Sequence, residues 1–198
     1  MSQLRVILAS SSPRRRELLT LIGIKHEVIP ADIDESERRG EKPADHAERL
    51  AREKTIAVAH RYPDALVVGA DTIVVIDDRV LGKPKTQDEA AMMLRTLRGR
   101  SHTVFTAVAV ARGTRLASSV EEVEVTFRDL SDADIADYIA TGEPMDKAGA
   151  YGIQGFGATI VRKVNGDYFA EMGLALGRMI DLMRRLGFRY EFAGRVVE

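Results

Sequence analysis

Three consecutive arginines, Arg14, Arg15 and Arg16, stand where a helix is predicted to begin. The apolar residues 4–9 indicate a buried strand, Ser10, Ser11 and Ser12 follow it, and Pro13 suits the first position of a helix. Cations at a helix start are unfavourable by a few tenths to about 1 kcal/mol each. A bound anion would offset this, and the serines could donate hydrogen bonds to it. The pattern predicts a phosphate site, with a solvated basic surface as the alternative.

A single carboxylate, Asp71, interrupts the apolar segment 65–76. A carboxylate in such a segment must pair, face a cleft or lie at a bend. Gly69 would allow another part of the backbone to approach closely. The pattern favours a general base or a metal ligand, and a hydrogen-bonded bend is the alternative.

An acidic segment and two lysines complete the residues that could do chemistry. The segment contains Asp32, Asp34, Glu35 and Glu37, and oxygen ligands alone suit Mg²⁺ or Mn²⁺, but taken by itself the segment is better explained as a solvated acidic loop. Lys54 and Lys83 lie in conspicuous settings, the first within a predicted helix and the second before Pro84. A triphosphate needs several such cations around it, but either lysine alone is typical of a protein surface.

Composition and absent motifs exclude several function classes. The 198 residues include no cysteine, which excludes disulfides, thiol nucleophiles and zinc–thiolate sites. The net charge of −1 and the few aromatic residues argue against nucleic-acid binding. No GxxxxGK[ST], GxGxxG, GxSxG or HExxH motif occurs, and the four histidines lack metal-ligand spacing, which favours surface or capping positions for them. Apolar runs are too short to span a membrane, and the N-terminal charge order does not fit a signal peptide, so we expect a cytoplasmic protein.

Strands and helices are predicted to alternate along the whole chain. The predicted strands cover residues 4–9, 26–31, 65–76, 79–81, 102–111 and 120–128, with a hairpin turn at Asp77 and Asp78. The first predicted helix begins after Ser12, which is placed as an N-cap, and ends at Gly23. Four further helices are predicted over residues 44–60, 87–98, 131–141 and 172–186. This order predicts an α/β fold with a mixed sheet.

Six motifs in chain order resemble those of the Maf family of nucleoside triphosphate pyrophosphatases, and together they cover residues 8 to about 176. They are Ala9-Ser10-x-Ser12-Pro13-Arg14-Arg15, Asp34-Glu35, Ala51-x-x-Lys54, Gly69-Ala70-Asp71-Thr72, Gly82-Lys83-Pro84 and Gly142-Glu143-Pro144-x-Asp146-Lys147-Ala148-Gly149-Ala150-Tyr151-Gly152-Ile153-Gln154-Gly155. The resemblance implies an α/β fold with a twisted mixed sheet and flanking helices, similar to inosine triphosphate pyrophosphatases. It also implies a single domain over residues 1–198, with two lobes around a cleft and no separate linker. It also implies a homodimer.

The resemblance further implies a reaction and a set of roles. Maf proteins hydrolyse a nucleoside triphosphate to the monophosphate and pyrophosphate with a divalent cation, here expected to be Mg²⁺ or Mn²⁺. The phosphates are expected against Ser10, Ser12, Arg14, Arg15, Lys54 and Lys83. Glu35, with Asp71, is expected to hold the metal, and Asp71 is expected to activate the attacking water.

Three positions indicate the base that is recognised. In the family branch that acts on dTTP and UTP these positions are Arg, Thr and Gln, and they correspond to Arg14, Thr72 and Gln154. Uracil and thymine present an N–H donor between two carbonyls, and a glutamine amide can accept from the one and donate to the other. The expected substrates are therefore dTTP and UTP, or modified pyrimidine nucleotides. The alternatives are a Maf enzyme of different base specificity, or a binding factor in division control whose hydrolysis is incidental.

Overall fold

The computed structural model describes residues 3–198 and has a mixed α/β architecture, as the sequence predicts. The strands are β1 Val6–Leu8, β2 Glu27–Val28, β3 Leu66–Ile76, β4 Arg79–Leu81, β5 Ser101–Arg112, β6 Arg115–Phe127, β7 Val161–Asn165, β8 Arg189–Glu191 and β9 Arg195–Val197. The α-helices are α1 Pro13–Leu21, α2 Pro43–Ala59, α3 Gln87–Leu97, α4 Asp132–Ala140, α5 Tyr168–Glu171 and α6 Leu176–Arg185. Three 3₁₀ turns lie at Glu143–Asp146, Ala148–Ala150 and Gly155–Thr159.

Seven strands within residues 3–198 form one sheet in the order β2-β1-β3-β5-β6-β7, with β4 pairing to β3. β1 runs parallel to β2 and β3, whereas β3–β4 and β6–β7 are antiparallel. The sheet is therefore mixed. β8 and β9 form a separate antiparallel pair.

Local sequence signals explain most element boundaries. Ser131 caps α4 in a reciprocal capping box with Asp134. Asp77 and Asp78 both have positive φ, of 49° and 59°, as the two-residue turn between β3 and β4 requires. Ser12 occupies the N-cap position of α1, but its side chain makes no capping hydrogen bond there.

Three predicted elements differ from the observed ones. The strand predicted over 26–31 is confined to Glu27–Val28, and Pro30, which lacks an N–H, follows closely. The strand predicted from 120 begins at Arg115, because a two-residue turn joins it directly to β5. The helix predicted over 172–186 begins only at Leu176, since Gly173 has a φ of 113° that no helix accommodates.

The chain divides into two compact units. The first holds the chain up to Asp71, with Thr106–Glu121 and Gly173–Glu198, and the second holds Thr72–Phe105 and Glu122–Met172. In the first unit, β1, α2 and β3 meet in a core cluster that includes Ile7, Val58 and Val67. No helix among residues 3–198 combines the length and apolar character needed to cross a bilayer.

Candidate functional site

A lysine between two carboxylates forms the centre of the candidate site in the first unit. Lys54 Nζ donates to Asp71 Oδ1 at 2.7 Å and lies 3.0 Å from Glu35 Oε1. Lys54 and Asp71 are both buried, whereas Glu35 is exposed. Of the environments that the sequence left open for Asp71, the structure shows pairing, and this ion pair offsets the penalty of burying either charge alone.

A glycine on β3 allows α2 to bring Lys54 close to Asp71. A Cβ added to Gly69 would overlap the Thr55 hydroxyl and lie 3.1 Å from the Ala51 carbonyl oxygen. Thr55 is itself fully buried, and its hydroxyl donates to that carbonyl at 2.7 Å. The close approach predicted for Gly69 is therefore confirmed. Since Lys54 precedes Thr55, this contact sets the position of the lysine along the strand.

The acidic segment that carries Glu35 is attached to α2 by Arg49. The Arg49 guanidinium donates to the Ser36 carbonyl at 3.0 Å and to both carboxylate oxygens of Glu41, at 2.6 and 2.8 Å. These hydrogen bonds, together with that from His46, hold the pKa of Glu41 well below its usual range. Glu35 is thereby held on the same helix that supplies Lys54.

Hydrogen bonds among its own residues hold the serine–arginine turn, Ser10–Arg15, after β1. Ser10 is buried, and its hydroxyl oxygen accepts from the Ser12 N–H at 3.2 Å and from Arg15 Nη1 at 3.1 Å. Arg15 also donates to the carbonyls of Ala70 and Gly173, each at 2.8 Å. Burial lowers the pKa of the Arg15 guanidinium, and the Asp71 charge opposes that shift. Arg15 therefore links the serine turn after β1 to the middle of β3 and to Gly173, a structural role that the sequence analysis did not predict.

Arg14 and the Ser12 hydroxyl remain available at the start of α1. Neither side chain makes a hydrogen bond or ion pair within residues 3–198, and both are half-buried. These groups can bind an anion without first breaking an internal contact.

The carboxylates at the site suit a divalent cation that is also held by a substrate. Glu35 and Asp71 converge on one point, now taken by the Lys54 ammonium, and their oxygens are the donors that Mg²⁺ and Mn²⁺ prefer. No group of three or more His, Cys, Asp or Glu suited to a metal occurs in the described part of the chain. Mg²⁺ is commonly bound by one or two carboxylates with water and substrate phosphates, so this set fits such an ion.

The other predicted site residues, Thr72, Lys83 and Gln154, belong to the second unit. Thr72 follows Asp71 directly on β3. Lys83 is exposed after β4, where the Gly82 carbonyl accepts from the Gly149 N–H at 3.1 Å. Gln154 is also exposed, and its side chain makes no hydrogen bond within residues 3–198. The side chains of Lys83 and Gln154 are thus available to a ligand.

Two features of the second unit were not anticipated. Glu143 and Tyr138 hydrogen-bond to the backbone on both sides of Gln154. His102 was expected at a surface or capping position, but it is buried, and its Nε2 lies 2.7 Å from the Tyr151 hydroxyl. Burial lowers the pKa of His102 to about 4. The conspicuous Gly-Glu-Pro triplet could have drawn attention to Glu143, whereas only the packing reveals His102.

The fold and the site together define an α/β protein with a buried lysine–carboxylate pair beside an arginine-rich helix start. The Maf-like protein family matches residues 5–186, and the chain belongs to this family. A dTTP/UTP pyrophosphatase of Geobacillus sp. is 49% identical over 93% of this chain and 99% of its own. One of Symbiobacterium thermophilum is 50% identical over 93% of this chain and 95% of its own. A solved Staphylococcus aureus Ham1 protein aligns at a TM-score of 0.46 and 17% identity over 79% of each chain.

Proposed function

We propose that the protein is a nucleoside triphosphate pyrophosphatase that hydrolyses dTTP and UTP to the monophosphate and pyrophosphate. The observation that carries this proposal is the buried Asp71 carboxylate, fixed by Lys54 at 2.7 Å beside the Ser10–Arg15 turn. The base preference is supported by the relatives named dTTP/UTP pyrophosphatase and by Arg14, Thr72 and Gln154 at the positions described above.

In the proposed reaction Asp71 accepts a proton from a water molecule as the water oxygen attacks the α-phosphorus. The bond between the α-phosphorus and the bridging oxygen breaks, and pyrophosphate leaves with that electron pair. Arg14, Lys54 and Lys83 offset the charge of the phosphates. Positioning and charge neutralisation account for most of the rate in such phosphoryl transfers.

A divalent cation, Mg²⁺ or Mn²⁺, is part of this proposal. Glu35 and Asp71 would hold it, and it would neutralise charge on the phosphate oxygens. The Lys54 ammonium and the ion would then both contact the carboxylates of Glu35 and Asp71. Lys54 would keep its position, because the next residue, Thr55, packs against Gly69. Titrating EDTA against activity, then restoring Mg²⁺ or Mn²⁺, tests the requirement.

The experiment that tests the function is pyrophosphate release from dTTP, UTP, CTP, GTP, ITP and 7-methyl-GTP, with Mg²⁺ or Mn²⁺. We expect activity on dTTP and UTP, and the Asp71→Asn protein is the blank for contaminating hydrolases. Activity only on a purine nucleotide would retain the reaction and reject the base preference. A folded protein that hydrolyses none of the six nucleotides would reject the proposal that it is an enzyme of this class.

A homodimer is also proposed from the family resemblance, and the cytoplasmic location expected from the sequence is proposed with it. Sedimentation analysis over a range of protein concentrations tests the first, and cell fractionation tests the second.

A further inference from the structure

One pair of side chains fixes the backbone on both sides of Gln154. The Tyr138 hydroxyl accepts from the Gly152 N–H at 3.2 Å and donates to Glu143 Oε1 at 2.8 Å. Glu143 in turn accepts from the Phe156 N–H at 2.8 Å and from the Gly157 N–H at 2.9 Å. The segment is therefore attached two residues before Gln154 and two and three residues after it.

Glu143 meets these donors as a charged group. Burial by itself raises the pKa of Glu143, but the hydrogen bonds from Gly157, Phe156 and Tyr138 together hold it below its usual range. Hydrogen bonds to an ionised acceptor are roughly twice as strong as those between neutral groups. Tyr138 is itself buried at 6% exposure, so its hydroxyl cannot exchange these partners for water freely.

The fit between Glu143 and the segment leaves no room for a side chain at position 155. Gly155 has a φ of 64°, and a Cβ added there would overlap Glu143 Oε2. The carboxylate thus approaches the backbone directly beside Gln154. In contrast, the Gln154 side chain is exposed and makes no hydrogen bond among the residues that the structure describes. Its backbone is held while its amide stays available.

We propose that Glu143, supported by Tyr138, is a positioning residue that determines base specificity through Gln154. This inference rests on the proposed function. A glutamine distinguishes uracil from cytosine only if its amide oxygen and nitrogen meet the correct ring atoms, because the two bases reverse donor and acceptor at the pairing edge. A fixed backbone reduces the freedom that Gln154 loses on binding, and small displacements of a positioned group strongly reduce rates.

The test compares UTP with CTP in Glu143→Gln and Tyr138→Phe proteins. In Glu143→Gln an amide nitrogen replaces one acceptor oxygen, so the Phe156 and Gly157 N–H groups cannot both keep their bonds. Tyr138→Phe retains the buried ring and removes only the hydroxyl. We expect the ratio of kcat/KM for UTP over CTP to fall about 10-fold in each variant. Asp77→Asn, which neutralises an exposed carboxylate paired with Arg100, is the matched control and should keep the wild-type ratio.

Hydrogen exchange supplies a readout that is independent of catalysis. We expect the Phe156 and Gly157 amides to exchange about 10-fold faster in Glu143→Gln, and the Gly152 amide to do so in Tyr138→Phe. Unchanged protection at these amides would overturn the proposal. If the wild type is active and both variants keep its UTP-to-CTP ratio, the role of Glu143 is overturned and the proposed function is not. A wild type that hydrolyses neither nucleotide would instead overturn the proposed function, and this role of Glu143 with it.

Discussion

Lys54 Nζ donates a 2.7 Å hydrogen bond to Asp71 Oδ1 across 17 residues of sequence, and both side chains are buried. The lysine comes from α2 and the aspartate from β3, so the contact joins a helix to the sheet it covers. Glu35 reaches the same ammonium from the acidic segment at 3.0 Å. One cation therefore fixes two carboxylates, and substitutions at this centre have distinct expected effects.

Asp71→Asn should lower pyrophosphate release from dTTP by at least about 100-fold, because an amide cannot accept the proton of the attacking water. The Lys54 ammonium keeps Glu35 as a partner, so the protein should still fold. Steady-state assays with dTTP, together with circular dichroism, measure both effects. Asp64→Asn, an exposed carboxylate of the same unit, should behave as wild type. Near-normal turnover of the Asp71→Asn protein would assign the base to another group.

Gly69→Ala should lower the free energy of unfolding by about 1–3 kcal/mol, since the new methyl group overlaps Thr55 and crowds the Ala51 carbonyl. Moving α2 away from β3 should also separate Lys54 from Asp71 and reduce kcat. Urea unfolding and dTTP hydrolysis test the two effects.

The matched control for this change is Gly177→Ala on α6, where an added Cβ meets nothing within 4 Å. Alanine is favoured over glycine in a helix by up to about 1 kcal/mol, so Gly177→Ala should be neutral or stabilising. Equal loss of stability in both proteins would show that the close approach at Gly69 is not the cause.

Gln154→Glu should reduce kcat/KM for dTTP and UTP more than for other nucleotides, since a carboxylate cannot donate to a pyrimidine carbonyl. The expected selective loss is about 10-fold or more, as for a lost hydrogen bond to a substrate. Gln87→Glu at the exposed start of α3 introduces the same charge elsewhere and should leave the nucleotide ranking intact. An equal loss on every nucleotide would reject a specificity role for Gln154.

His102 should make the protein less stable as the pH falls from about 6.5 towards 4. Burial lowers its pKa from 6.5 to about 4, so in this window the unfolded chain binds a proton that the folded protein does not. The contribution of neutral His102 to the free energy of unfolding is fully present above pH 6.5, and about 3 kcal/mol of that free energy is lost by pH 4. Urea unfolding of wild type and of His102→Gln at several pH values measures the difference in slope.

His60→Gln is the control for this measurement, because His60 is exposed. It should retain the wild-type dependence of stability on pH. A His102→Gln protein with the same dependence as wild type would show that His102 does not contribute to it.

Most of the secondary structure follows from local sequence, because the signals lie within a few residues of each boundary. Ser131 predicts the start of α4, and Asp77 with Asp78 predicts the turn after β3. The predictions failed where a contact or a backbone angle outside the apolar pattern decides the boundary, as for Gly173 before α6.

The residues of the candidate site were proposed individually from the sequence, but the contacts between them were not predicted. The motif order was sufficient to single out Asp71, Lys54 and Glu35, since each residue type carries its own chemistry. That the Lys54 ammonium contacts both carboxylates depends on how closely α2 packs over Gly69, which sequence spacing does not specify.

By itself, the sequence determined the fold class, the family and the residue types available for phosphate chemistry. The tertiary structure alone decided that Arg15 links the serine turn after β1 to β3 and that His102 is buried. It also decided that Glu143 holds the segment around Gln154. Residues distant in sequence make these contacts, and their strength comes from burial and geometry, which exist only once the chain has folded.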